Sequence, residues 1–138
     1  MNGVMRLRKY EEFEDDAGRM RRYLRMPSGG LVALDADVAS DVQVARWAWV
    51  DPGARVSEGV RINSYAWVGA GAVVGPRAHL GTGAHVGRGA VVGEDAVIGP
   101  RAQVGAGARI EAGAVVEPEA RVPEGAVVTA DGVRLAAA

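Results

Sequence analysis

The sequence predicts an all-β solenoid, a parallel β-helix of short coils, and three observations carry that prediction. First, one six-residue unit repeats without a break from Val32 to Val133. Its first position is a branched aliphatic in all 17 units, from Val32, Val38 and Val44 to Val116, Val122 and Val128. Second, position five is small or slender throughout: 14 Ala, with Val42, Val60 and Gly132 in the other units. Third, turn formers gather at positions two to four. Position four is Gly or Asp in 12 of 17 units, and position two is Gly in seven consecutive units from Gly69 to Gly105.

A period of six fits neither a helix nor a plain alternating strand. It fits a short strand followed by a tight turn. Positions five, six and the next position one form the extended segment, with alternate side chains pointing inward. Positions two to four form the turn, where Gly and Asp tolerate a left-handed backbone. The prolines agree. Pro52, Pro76, Pro100 and Pro118 sit at position three and Pro123 at position two, and none falls where a ladder donor would be lost. Arg77, Arg101 and Glu119 at position four each follow a proline, which predicts a type I turn that needs no glycine.

Units such as Val68-Gly-Ala-Gly-Ala-Val, Val86-Gly-Arg-Gly-Ala-Val and Val92-Gly-Glu-Asp-Ala-Val resemble those of the hexapeptide-repeat proteins. That resemblance implies a left-handed parallel β-helix of triangular section with three units per coil. At 18 residues per coil the repeat makes five to six coils, a prism roughly 27 Å long at about 4.8 Å per coil. The resemblance divides the chain into a capping segment and linker (1–31), the β-helix (32–133) and a short tail (134–138).

Length and composition bound the rest. The 138 residues are one domain's worth, and a net charge of −1 steers toward neither nucleic acid nor membrane. There is no cysteine, hence no disulfide framework and no thiolate nucleophile or metal ligand. No run of about 18 apolar residues occurs, and no signal-peptide core opens the chain. A soluble, cytoplasmic or virion-associated protein is the expectation.

Residues 1–26 differ from the repeat. They carry Lys9, six arginines and the acidic run Glu11, Glu12, Glu14, Asp15, Asp16. A helix would place Met20, Tyr23 and Leu24 on one face. A hairpin would pair Met5–Phe13 with Met20–Met26 across the turn string Asp15-Asp16-Ala17-Gly18. The alternation Met20, Arg22, Leu24, Met26 and the glycine favour the hairpin. The charges read as cross-strand ion pairs, or else Arg19, Arg21, Arg22 and Arg25 form a basic patch for an acidic partner. Tyr10, Phe13 and Gly29-Gly30 are similar to the opening of bacterial and phage hexapeptide-repeat proteins. With Pro27-Ser28 before it, the Gly-Gly pair lets this segment cap the solenoid, whose terminal edges must be blocked.

The repeat departs from its pattern in few places. Trp47 and Tyr65 replace Gly or Asp at position four, and Trp49 and Trp67 stand at position six of the same units. These units lie one coil apart, so Trp47, Trp49, Tyr65 and Trp67 make an outward aromatic quartet. Exposed apolar patches of this kind mark contacts. Three occupants are open: the N-terminal segment through Tyr10, Phe13 or Tyr23; a subunit or partner; or a stacked sugar or base. Outward Val73 and Val91 form one row and Val97, Val115 and Val133 another. Such rows fit covered sides, and the resemblance implies a homotrimer. The ending Asp131-Gly132-Val133-Arg134-Leu135 shows no cap and is open to fraying or to a partner.

His79 and His85 are the only histidines, both outward at position six. The resemblance includes acyltransferases that use a histidine base between subunits, and a base near neutrality suits that task. The two histidines lie on different faces, roughly 18–20 Å wide at about 3.3 Å per residue, so one chain cannot bring both to one metal. No cofactor or metal site is expected from the sequence. The 17 units admit no inserted loop that could build an acceptor pocket. The sequence therefore favours a non-enzymatic structural or assembly module, a rigid trimeric prism attached to its own copies or to a larger particle. The alternatives are an acyltransferase using acyl-CoA with His79 or His85 as base, and a glycan or peptide binder acting through the quartet.

Overall fold

The computed structural model describes residues 10–134, and those residues contain strands and turns but no helix. The repeat folds as a parallel β-solenoid whose short strands stack into three faces. The first face runs from β3 (Leu31–Ala33) through Trp49–Val50, Trp67–Val68, His85–Val86 and Gln103–Val104 to Arg121–Val122. The second runs from Asp37–Val38 to Val127–Thr129, and the third from Gln43–Val44 to Val115–Val116. Partners are 18 residues apart, as in Trp49↔Trp67 and Val50↔Val68. The ladder is closed by bonds such as Trp49 N–H to Ala66 O and Asp51 N–H to Val68 O, both 2.9 Å.

Positions one and five fill the prism. Val44, Val50, Leu80 and Val92 are completely buried, as are the position-five alanines from Ala48 to Ala114. No polar or charged side chain is buried among the described residues. Each buried aliphatic contributes about 1.5–3 kcal/mol by leaving water. With alanine facing branched aliphatics the core stays narrow, and the three faces close tightly round it.

Position four has a left-handed backbone in 14 consecutive units, from Trp47 (φ 69°) to Gly125 (φ 70°). This corrects the type I turns expected after proline. Arg77, Arg101 and Glu119 have φ of 62°, 60° and 64°. A proline followed by a positive φ fits a type II turn, and Ala78 N–H closes it onto Gly75 O at 3.3 Å. The corner geometry is set by the coil, and non-glycine residues conform to it. The position-two glycines have a separate cause. A Cβ on Gly93 would stand 2.5 Å from the Ala112 nitrogen, and one on Gly105 2.6 Å from the Glu124 nitrogen.

The N-terminal segment is a hairpin. β1 (Tyr10–Glu14) pairs antiparallel with β2 (Met20–Arg25), from Tyr10↔Leu24 to Glu14↔Met20. The expected start at Met5 lies outside the described residues. Asp15 shapes the turn: its Oδ1 accepts from Ala17 N–H and Arg19 N–H, both at 2.9 Å. The Arg19 amide bond is the main reason its carboxyl is held down to about 2. Arg19 and Arg21 pair with Asp15, Arg22 with Glu12 and Arg25 with Glu11. The four arginines are thus partnered within the hairpin, as the ion-pair reading expects.

β2 continues antiparallel onto β3, with Leu24↔Val32, so the hairpin extends the first face beyond the first coil. The linker crosses the end of the third face. Gly30 N–H and the Ser28 hydroxyl both reach Val44 O. A Cβ on Gly30 would lie 2.3 Å from Val44 Cγ1, so only glycine allows this crossing. The other end differs from expectation. Gly132–Arg134 turns back antiparallel on Val127–Thr129, pairing Val133 with Val128. Val133 therefore does not continue the Val97–Val115 row, and the second face ends in a return strand. Leu135 and the alanines after it lie outside the described residues.

Candidate functional site

The first face carries an outward column of Trp49, Trp67, His85, Gln103 and Arg121, one residue per coil. Position six supplies each of them, since its side chain alternates with the two inward ones. The solenoid thus brings His85 directly onto Trp67. Their rings stack with centroids 4.6 Å apart and planes inclined at 29°. His85 is half-buried, and burial pushes its imidazole below the ordinary histidine range, while the nearby charge of Asp51 acts in the opposite direction.

Asp51 occupies position two of the coil beneath Trp67, at the corner after Val50. Its two oxygens take two donors: the Tyr23 hydroxyl at 2.9 Å and the Trp67 indole N–H at 2.6 Å. Tyr23 comes from the hairpin and is buried, which raises its phenol to about 12 and keeps it a donor. Trp49 lies under the hairpin, in contact with Phe13 at 5.1 Å and Tyr23 at 5.0 Å between ring centroids. A continuous line of contacts thus runs from the hairpin through Asp51 and Trp67 to His85.

The aromatic quartet is not one patch. Trp49 is covered by the N-terminal segment through Phe13 and Tyr23. Trp67 is 47% exposed beside it and faces His85. Trp47 and Tyr65 stand on the corner between the third and first faces, 61% and 63% exposed. They stack on each other at 6.4 Å with planes 18° apart. His79 lies on the third face between Arg61 and Val97, exposed and apart from His85. Val73 and Val91 pair on the second face, Val97 and Val115 on the third. A cavity of about 390 Å³, lined by Val116, Arg121, Val122, Thr129 and Asp131 among others, opens at the C-terminal end, two coils beyond His85. No group of three His, Cys, Asp or Glu able to hold a metal stands among the described residues, and no helix there is long and apolar enough to cross a membrane.

Sequence reasoning missed Asp51 and gave Tyr23 only a packing role. A signal was present: after Ala33, Ala39 and Ala45, position two turns acidic in the unit that follows Trp49. The eighteen-residue coil places that corner beside Trp67.

No family model and no curated protein matches this chain. Solved structures do. The chain superposes on PerB from Caulobacter crescentus, in complex with CoA and GDP-perosamine, with a TM-score of 0.62 and 21% identity over 78% of this chain and 57% of that one. A histidine-to-alanine variant of GDP-perosamine N-acetyl transferase from the same organism, with the same two ligands, gives 0.61 and 21% over 79% and 57%. The acetyltransferase domain of PglB from Neisseria gonorrhoeae, in complex with acetyl coenzyme A, gives 0.52 and 20% over 79% and 58%. The chain spans a little under three fifths of the length of these structures. At this identity the likeness establishes the fold: the chain is a β-solenoid of the hexapeptide-repeat type.

The likeness also corrects an expectation. The sequence reading favours a non-enzymatic structural or assembly module because an unbroken solenoid offers no pocket loop. The solved structures on which this chain superposes include an N-acetyl transferase held with CoA and an acetyltransferase domain held with acetyl coenzyme A. A groove need not come from an inserted loop, because a flat face such as the His85 face becomes one wall of a groove when another surface packs against it. The expected absence of a cofactor loses its basis with it.

Proposed function

We propose that this chain is an acyltransferase that takes its acyl group from acyl-CoA, works as a homotrimer, and uses His85 as general base. The observation that carries the reading is His85 itself: a half-buried imidazole whose burial disfavours its charged form, stacked on Trp67, on an outward face of a solenoid whose solved counterparts include acetyltransferases. His79 lacks such a setting. The exposed valines, Val73 at 36%, Val97 at 38% and Val115 at 56%, favour sides covered by other copies.

The chemistry asked of His85 is simple. An amine or hydroxyl of the acceptor attacks the thioester carbonyl carbon, and a C–N or C–O bond forms as the C–S bond breaks. His85 accepts the proton released by the acceptor and returns it to the departing thiolate sulfur. Burial lowers the imidazole's affinity for a proton, which favours the unprotonated form a general base needs.

The test follows free thiol released from acetyl-CoA with a panel of amino sugars and simple primary amines. His85→Ala is expected to slow release by about 10²–10⁴-fold, the usual share of a general base, while His79→Ala keeps the wild-type rate. Full activity in His85→Ala would remove His85 from the role. No thiol release with any acceptor, together with no shift in Tm on adding acetyl-CoA, would overturn the acyltransferase reading.

A further inference from the structure

We infer that Trp67 and Asp51 are positioning residues for His85: the indole, locked through its N–H to Asp51, is a π-surface prepared for the imidazolium that His85 becomes when it takes a proton. The inference rests on the reading of His85 as a base, and it adds two residues and the hairpin to that site.

Three pieces of geometry carry it. The rings of Trp67 and His85 are close and near parallel, 4.6 Å and 29°, so the imidazole lies over the indole face. A cation over that face is attracted by the ring quadrupole, whereas a neutral ring gains far less. The Trp67 N–H is bound at 2.6 Å to a carboxylate oxygen, which fixes the ring's tilt and adds electron density to the π-system. The second oxygen of the same carboxylate is held at 2.9 Å by Tyr23, so Asp51 cannot swing away to solvent. The arrangement is built before any proton moves, and a field set in advance favours the charged state without reorganisation. In a Ser-His-Asp triad a carboxylate bonded to the imidazole stabilises the imidazolium. Here the carboxylate acts through an indole.

The groups that face His85 can be named. Trp67 from the strand on one side and Gln103 from the strand on the other do not titrate. Asp51 is the charged group whose field reaches the imidazole, and it favours the protonated form. Removing its charge therefore lowers the midpoint of His85. Tyr23 stays protonated through the neutral range and contributes only as a donor.

The test is an NMR titration of the two histidines in the full chain, with His79 on another face as internal reference. Asp51→Asn keeps an acceptor for the indole and loses the charge. Trp67→Phe keeps a ring under His85 and loses the N–H. Far-UV circular dichroism and Tm establish that each variant is folded. Asp51→Asn is expected to lower the His85 midpoint by about half a pH unit or more, Trp67→Phe by less, with His79 unmoved in both. An unchanged His85 midpoint in both folded variants overturns the inference. A parallel pH profile of kcat/KM with acetyl-CoA and the best acceptor amine separates it from the reading beneath. If His85 is the base, the acid limb moves to lower pH by the same amount in Asp51→Asn, and the plateau falls. A midpoint that moves under NMR while the acid limb stays fixed keeps Asp51 and Trp67 coupled to His85 and removes His85 from the base role.

Discussion

The coils from Gly69 onward and those before Val68 follow one path but use their side chains differently. The later coils repeat: glycine at most corners, glycine at position two up to Gly105, and valine at many outward positions. The earlier coils and the hairpin before them hold the aromatic side chains of the whole chain: Trp47, Trp49, Tyr65 and Trp67 in the coils, Tyr10, Phe13 and Tyr23 in the hairpin. Backbone geometry does not account for this, because corner φ is 69° at Trp47 and also 69° at Gly71. The lesson is that the repeat makes the prism and the departures from it make the surface. His85 is where the two meet: a regular-coil position resting on the last aromatic of the irregular coils.

The comparison breaks most readily in the core. Leu80 is completely buried on the third face between Ile62 and Ile98. Leu80→Ala removes packing that three faces share, and the narrow prism cannot collapse into the space. It is expected to lower unfolding free energy by about 2–5 kcal/mol. Chemical denaturation read by far-UV circular dichroism checks this. A loss as small as that of an exposed substitution would mean that single coils do not depend on their neighbours.

Packing between coils gives the next largest effect. Gly93→Ala puts a Cβ 2.5 Å from the backbone nitrogen of Ala112, so the coils must part. Overpacking of this kind costs about 1–3 kcal/mol. Ser57 holds the same position two in an earlier coil and already carries a Cβ, so Ser57→Ala is expected to stay within about 0.5 kcal/mol. Equal effects in the two variants would erase the distinction between tightly nested and looser coils.

The fold was legible because period, turn chemistry and small core residues agree at every unit. Such agreement across levels is what makes one structure the outcome. The site was legible only in part. Position six announces that Trp49, Trp67 and His85 point outward, and the count of 18 announces that they stack. One placement stayed open and two things escaped. The hairpin's place on Trp49, through Phe13 and Tyr23, is one of three occupants the sequence leaves open, because tertiary docking is not encoded in any local period. The reach of Asp51 to Trp67 depends on a side chain leaving its own corner for the next coil. The return strand Gly132–Arg134 breaks the repeat through hydrogen bonding to Val127–Thr129, although its residues keep the spacing of the units before it. The type I turns expected at Arg77, Arg101 and Glu119 failed for a related reason: a coil imposes its corner on whatever residue stands there.

The corner aromatics sharpen the comparison with the smallest effect. Trp47 and Tyr65 hold left-handed backbones with large side chains more than 60% exposed. That conformation costs a non-glycine residue roughly 1–2 kcal/mol, and the stack between the two rings returns about 0.5–1.5 kcal/mol. Glycine at both sites removes the strain, removes the stack and gives the unfolded chain more freedom. The double variant Trp47→Gly, Tyr65→Gly is therefore expected to unfold within about 1 kcal/mol of wild type, as judged by urea midpoints at equal m. A stability change that small leaves the pair without a role in holding the coil. Residues that are strained, exposed and dispensable for folding are kept for what their faces meet. A loss of several kcal/mol would return Trp47 and Tyr65 to the framework and leave the first face, with Trp67 and His85, as the surface that the irregular coils build.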